Sequence, residues 1–391
     1  MLKKKKKKGI KHWIGKIHLW LGMTSGLIVL LLSVTGCLYV FSVEITNVLR
    51  SDAMYVTAPA THTIPVSQLW ENTQKEIGND LKIASVNVYN QPDKTWIFTC
   101  FKRNEKAESI FYFGNIDYYK RIYVNPYTGK IQGIYDEKTD FFNIVKFIHW
   151  SLLLDIPIGQ QIIGWSTFIF VIMLITGIIL WWPKNKAARK QRFKFQWKKD
   201  TQWKRKNYDI HNIFGFYIAA IALVIAFTGM IWAFSWFQSI VYVAGSGSLT
   251  PPDIKQGTSV ITTAPKVSAI DSAFVKVKQK HLTADAFNLS MPADSTGAIS
   301  AYIQQYRDAY YVNHSMQFDQ YSGKLLVERN QDAKNFGEKL ITANYDIHVG
   351  AILGIPGKIM AFIGSFICGM LPVTGFLIWY GRKFKKKTNK R

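Results

Sequence analysis

Four of the chain's eight histidines stand at matched positions of a sequence that repeats itself once. His18 opens HLWLGMTSGLIVLLLSVTG and His211 opens HNIFGFYIAAIALVIAFTG, each followed by Gly at the fourth position and Thr-Gly at the seventeenth. His149 opens HWSLLLDIPIGQQIIGW and His348 opens HVGAILGIPGKIMAFIG, each with Ile-Pro at the seventh and eighth positions. All four flank or enter long apolar stretches, where an ionisable side chain is rare and marks a functional site by default. The chemistry on offer is metal ligation, two imidazoles to a site. Zinc or copper would want more: a zinc site takes three or four clustered ligands, often with Cys or carboxylate. Asp155 and Asp209 lie near but share no motif, since Asp155 aligns with Gly354. Asp209 and Asp346, each two residues before a histidine, are expected to orient ring nitrogens or cap helices. His12, His62, His281 and His314 have no repeat partner and are expected at the surface.

The elements that must carry these residues are membrane spans. Four segments have the roughly 20 apolar residues that cross a bilayer: 17–41, 149–182 with its pre-helix, 210–237, and 348–380 with its pre-helix. In hydrocarbon they must be helices, because the backbone can bond only to itself. The first is read as a retained span, since its apolar core is too long for a signal peptide. The basic lead 1–16 holds 8 Lys and Arg, the loop 183–209 holds 11 and the tail 381–391 holds 7, together 26 of 49. Only Asp200 and Asp209 oppose them, so these segments carry the whole net charge of +24. The positive-inside rule places both termini and that loop in the cytoplasm. This topological use of the charge excludes nucleic acid as a partner.

Segments 42–148 and 238–347 are then external, each large enough for a small domain. Cys100 is the only cysteine outside the spans, so no intrachain disulfide can staple either one. Both read as mixed α and β. Helices are expected over Val66–Ile77 and Val267–Gln279. Strands are expected at Ile83–Tyr89, Thr95–Phe101, within Arg121–Ile134, at Ala301–Gln305 and at Tyr310–Met316. The expected fold is a membrane protein of four transmembrane helices, a duplicated helix pair packed as a four-helix bundle, with two external α+β domains.

The turns VNPYTGKI and FDQYSGKL resemble those of PepSY domains, and the spans, with HxxxG early and Thr-Gly late, resemble the PepSY-associated transmembrane family. The resemblance covers essentially the whole chain and implies an iron-regulated inner-membrane protein of bacteria, with two PepSY-like domains in the periplasm. Its characterised members are ferric-siderophore reductases that carry b-type haem. On that likeness His18 with His211, and His149 with His348, would be axial ligands of two haems b, one on each side of the membrane. Two histidines on facing helices fill both axial positions and leave none open to oxygen. Gly22, Gly26 and Gly215 either admit a flat macrocycle or permit close helix contact. The Thr-Gly pairs are expected to serve packing. Trp20 and Trp150 could pack on a porphyrin edge, although the interfacial aromatic belt explains them as well.

The function implied is transmembrane electron transfer that reduces a ferric siderophore or other ferric chelate on the periplasmic side. No G-x-G-x-x-G follows a strand, so the donor would be a membrane quinol or a separate reductase. Two rivals are a non-redox PepSY regulator of peptidases, which leaves the paired histidines unexplained, and a siderophore transport component, for which no intramembrane carboxylate marks a path.

Overall fold

The computed structural model describes residues 9–183, 185, 186, 189, 192–262 and 268–384. The Lys3–Lys8 run, residue 267 and the tail beyond Phe384 lie outside the described residues. Among the described residues four helices are long and apolar enough to cross a membrane: Ile10–Tyr39, Ile156–Trp181, Trp203–Ala233 and Gly354–Lys383. The first packs on the second and fourth, and the third also packs on the second and fourth, closing a ring of four.

The two pre-helices are separate elements. Helix Phe141–Ser151 starts at Asp140, whose side chain accepts from the N–H groups of Phe142 and Asn143. It stops at Leu152 and Leu153, both left-handed with φ of 57° and 56°, before Pro157 opens the second span. Helix Asn344–His348 ends in the same way, with Gly350 at φ 78°. At each corner the chain folds tightly back on the span. A Cβ on Gly159 would lie 2.0 Å from the Ser151 carbonyl oxygen, and one on Gly357 would lie 2.1 Å from that of Gly350. His149 and His348 therefore ride on short helices at the bundle's mouth, not on the spans.

Between the spans the described residues form eight strands: β1 Ile83–Tyr89, β2 Trp96–Arg103, β3 Ile116–Val124, β4 Ile131–Asp136, β5 Ala286–Ser290, β6 Ala298–Tyr306, β7 Ala309–Asp319 and β8 Leu325–Arg329. The expected strands and the helix Val66–Ile77 are found, and the second helix runs Ala269–Lys280. All eight strands lie in one antiparallel sheet, ordered β4-β3-β2-β1-β5-β6-β7-β8, to which both segments 42–148 and 238–347 contribute four strands. Separate sheets would each leave an edge strand with unpaired backbone groups. Here β1 and β5 satisfy each other, with Asn87 opposite Asn288 at the centre of the pairing and the Asn288 amide donating to Asn87 Oδ1 at 2.8 Å.

Side chains alternate across this sheet with the period of two that a pleat imposes. Val86, Phe98, Ile122, Leu289, Ile303 and Phe318 face one side and are fully buried beneath Val66, Leu69, Ala273 and Val277 of the two helices. The opposite face is polar. There Asn87, Tyr89, Arg121, Asn288, Tyr302 and Gln304 look onto a cavity that also touches the ends of the spans. The polar face thus roofs one end of the bundle, hereafter the sheet side.

The two related turns are built alike. Asn125 Oδ1 accepts from the N–H groups of Tyr127 and Thr128, and Asp319 Oδ1 from those of Tyr321 and Ser322. Glycine then closes each at positive φ, Gly129 at 74° and Gly323 at 66°. An Asn or Asp side chain that bonds its own backbone two residues on mimics a backbone turn and so stops the strand.

Candidate functional site

Each of the four histidines meets the threonine of a Thr-Gly pair. The Nδ1 of His18 lies 2.9 Å from Thr176 Oγ1, that of His149 2.9 Å from Thr35 Oγ1, that of His211 2.9 Å from Thr374 Oγ1, and that of His348 2.8 Å from Thr228 Oγ1. The contacts are reciprocal within each half: the first span's histidine uses the second span's threonine, and the histidine before the second span uses the first span's threonine.

This geometry fixes the tautomer. Each threonine hydroxyl already donates to the carbonyl four residues back, at 2.7–2.8 Å. Its one proton is spent, so it accepts from Nδ1–H. With the proton held on Nδ1, each neutral ring keeps a lone pair on Nε2, the atom that binds a metal.

The glycine of each pair makes room for the ring. A Cβ on Gly375 would stand 3.2 Å from His211 Cε1, on Gly177 3.3 Å from His18 Cε1, on Gly36 3.5 Å from His149 Cε1, and on Gly229 3.6 Å from His348 Cε1. The expectation that Thr-Gly serves packing is therefore corrected: Thr holds the ring and Gly seats it. The expected role of the aspartates is corrected too. Asp209 accepts from Trp197 Nε1 and Arg205 Nε, and Asp346 from the Tyr310 N–H, so neither touches a histidine.

The pentapeptide Asn-Tyr-Asp-Ile-His occurs twice, ending in His211 and His348, and this exact repetition was the sequence signal for a further pair of residues. Buried Asn207 donates to the Thr374 carbonyl at 3.1 Å, and buried Asn344 to the Thr228 carbonyl at 3.1 Å. Each amide thus ties its own histidine's helix to the threonine that holds that histidine.

On the sheet side the two halves bring His149 and His348 together, with ring centroids 6.1 Å apart and planes at 69°, an edge-on arrangement. Two metal–nitrogen bonds of about 2.0–2.1 Å plus two ring radii span about 6.3 Å, so this spacing suits two imidazoles on opposite sides of one metal. Trp232 stands edge-on to His348 at 5.2 Å and against Trp150 at 5.6 Å, so Trp150 reaches the pair through Trp232.

On the opposite side His18 and His211 line a cavity of about 750 Å³, within the range of small-molecule and cofactor sites. Gly22, Gly26 and Gly215 form part of its wall, with Phe170, Met173 and Pro372. Gly22 also admits the Met173 side chain and Gly26 the ring of Pro372, so the glycines both shape the cavity and let neighbours approach. Trp20 is 68% exposed on the bundle's outer surface and stands apart from this wall.

Among the described residues no group of three or more His, Cys, Asp or Glu could hold a metal ion. Two imidazoles with Nε2 free are the donor set that a macrocycle with four equatorial donors of its own lacks. Of the unmatched histidines, His12 and His62 are exposed. His281 and His314 depart from the surface expectation: they are half-buried, with rings 4.5 Å apart.

No curated protein matches the chain. The family model described as the PepSY-associated TM region matches residues 16–382. With four apolar helices, four histidines seated on Thr-Gly pairs and a polar sheet over one end, the chain belongs to this PepSY-associated transmembrane family.

Proposed function

We propose that this protein carries electrons across a bacterial inner membrane on two haems b and reduces a ferric chelate, such as a ferric siderophore, on the sheet side. The observation that carries the reading is the fourfold His–Thr-Gly arrangement, which leaves a free Nε2 on every ring. One haem would be held by His18 and His211, the other by His149 and His348. When bound, haem supplies one-electron redox chemistry that no side chain here has.

The chain's own residues do the rest. The threonines keep each proton on Nδ1, and two histidines per haem would leave no open position for oxygen. Thr35 follows His18 by 17 residues along one helix, as Thr228 follows His211, so the two levels are about 25 Å apart by helical rise. That separation supports one site near each face of a bilayer. The matched histidines with their Thr-Gly partners and the central Asn87–Asn288 pairing support reading the spans as a duplicated helix pair. The basic segments around 9–16, 192–206 and 382–383 lie at the ends away from the sheet, which supports a cytoplasmic placement for them and a periplasmic one for the sheet.

Reduction of Fe(III) to Fe(II) by one electron weakens its hold on hard oxygen chelators, and the electron would come from a quinol or a partner reductase at the basic face. A reduced-minus-oxidised optical spectrum of the purified protein tests the reading. Two b-type centres are expected, with His18→Ala and His149→Ala each removing a different one. A spectrum with no b-type signal would overturn it.

A further inference from the structure

The cavity between the polar face of the sheet and the bundle, about 330 Å³, holds more cationic groups than its carboxylates neutralise. Arg50 is taken by Glu137 at 2.5 Å and Asp140 at 2.7 Å, and Arg307 pairs with Asp308 at 3.7 Å. Arg121, Lys146 and Lys94 take part in none of the described ion pairs, and Arg121 Nε is buried with no hydrogen-bond partner. A buried charge left so is costly unless something of opposite sign joins it. Burial and the neighbouring Arg121 push Lys146 down to about 8, and burial with Arg307 pushes Lys94 down. Carboxylates offset part of this without forming an ion pair, Glu137 and Asp140 for Lys146, and Asp308, Asp285 and Asp93 for Lys94.

The position of the cavity gives this charge a use. Its floor includes Tyr39, the last residue of the first span, Lys146, one turn before His149, and Tyr345, three residues before His348. It is therefore lined by the same two short helices that carry His149 and His348. Tyrosine hydroxyls from both halves line it, adding neutral donors to the cations.

We propose that this cavity is an oxyanion site in which Arg121 and Lys146 receive the carboxylates of a ligand lying next to the His149–His348 pair. A planar guanidinium takes a carboxylate through two parallel N–H donors, and an ammonium adds a point charge beside it. Two sources carry this chemistry: an incoming carboxylate chelate such as citrate, or the propionates of the macrocycle held by the histidines. The second source rests on the function proposed above, and the first does not.

The test uses the full-length protein in detergent. Citrate and ferric citrate are titrated by calorimetry against wild type, Arg121→Gln, Arg121→Lys and Lys146→Gln, and haem spectra are recorded for each. If the ligand comes from outside, wild type binds citrate, Arg121→Gln weakens binding at least tenfold, Arg121→Lys less, and the spectra are unchanged. If the ligand is the resident macrocycle, citrate does not bind, and Arg121→Gln shifts the spectrum or lowers the content of the centre that His149→Ala removes. A footprint on wild type guards against misfolded variants: citrate should slow phenylglyoxal modification of Arg121 when the ligand is external, and extraction of haem should speed it when the ligand is resident. Citrate affinity, spectra and Arg121 reactivity all unmoved would overturn the proposal. Absence of haem with citrate binding intact would sink the redox reading and leave this site standing.

Discussion

Thr228 Oγ1 lies 2.8 Å from His348 Nδ1 and 2.8 Å from the Val224 carbonyl oxygen, so it donates to the carbonyl and accepts from the ring. Thr228→Val keeps the shape and removes the acceptor, freeing the ring to turn or change tautomer. Partners of this kind are worth about 10–100-fold in metal affinity. Thr228→Val should therefore weaken haem retention at the His149–His348 centre by about that factor and spare the other, while Thr374→Val should do the reverse. Haem content and redox titration of each purified variant read this out. Equal loss at both centres would sink the assignment.

Gly375 and Gly229 hold equivalent places with different clearances. An added methyl at Gly375 meets His211 Cε1 at 3.2 Å, whereas one at Gly229 meets His348 Cε1 at 3.6 Å, an ordinary contact. Gly375→Ala should push the His211 ring off its rotamer at a cost of about 1 kcal/mol, which lowers occupancy of that centre roughly fivefold. Gly229→Ala should change occupancy less than twofold. The comparison is made by spectral titration with haem, and the reverse order would count against the seating role.

Arg50 joins the helix that follows the first span to the loop before His149 by binding both Glu137 and Asp140, with Arg50 and Glu137 almost wholly buried. Removing one partner from such a network leaves an uncompensated charge and costs about 3–5 kcal/mol. Arg50→Met should lower stability in detergent by that order, and adding Glu137→Gln to it should recover part of the loss. Chemical unfolding followed by tryptophan fluorescence measures both, and additive losses would refute the coupling.

Asp319 gives an acid-side signature. Burial pushes its carboxyl up, but the N–H groups of Ser322 and Val260 and the Ser322 hydroxyl outweigh that and hold it down to about 2. A depressed carboxyl contributes stability that is fully present above its unfolded value of about 3.9 and is lost as pH falls toward 2. The wild type should lose stability across that window, and Asp319→Asn should flatten the loss while starting from lower stability at pH 7. Unfolding midpoints at pH 2–7 decide it; identical slopes in the two proteins would remove Asp319 as the cause.

The turns were legible in the sequence because their mechanism is local: Asn125 and Asp319 bond their own following backbone, and glycine supplies the positive φ. The histidines were legible because duplication prints the same residues twice. Asn207 and Asn344 were equally visible in the doubled pentapeptide, but their importance lies in a carbonyl more than a hundred residues away. Arg121 gave no sign at all, since a strand arginine reads as solvated until a second surface covers it.

By itself, then, the sequence determined the four apolar helices, the strands and their turns, and the pairing of equivalent histidines, because hydropathy, turn chemistry and internal repetition act over short distances or copy them. Tertiary structure alone decided that β1 meets β5, that each Thr-Gly seats a histidine on a neighbouring helix, and that the polar sheet face shares a cavity with the short helices that carry His149 and His348. Those outcomes depend on which buried backbone and ring groups find partners across the fold, and no window along the chain contains both partners.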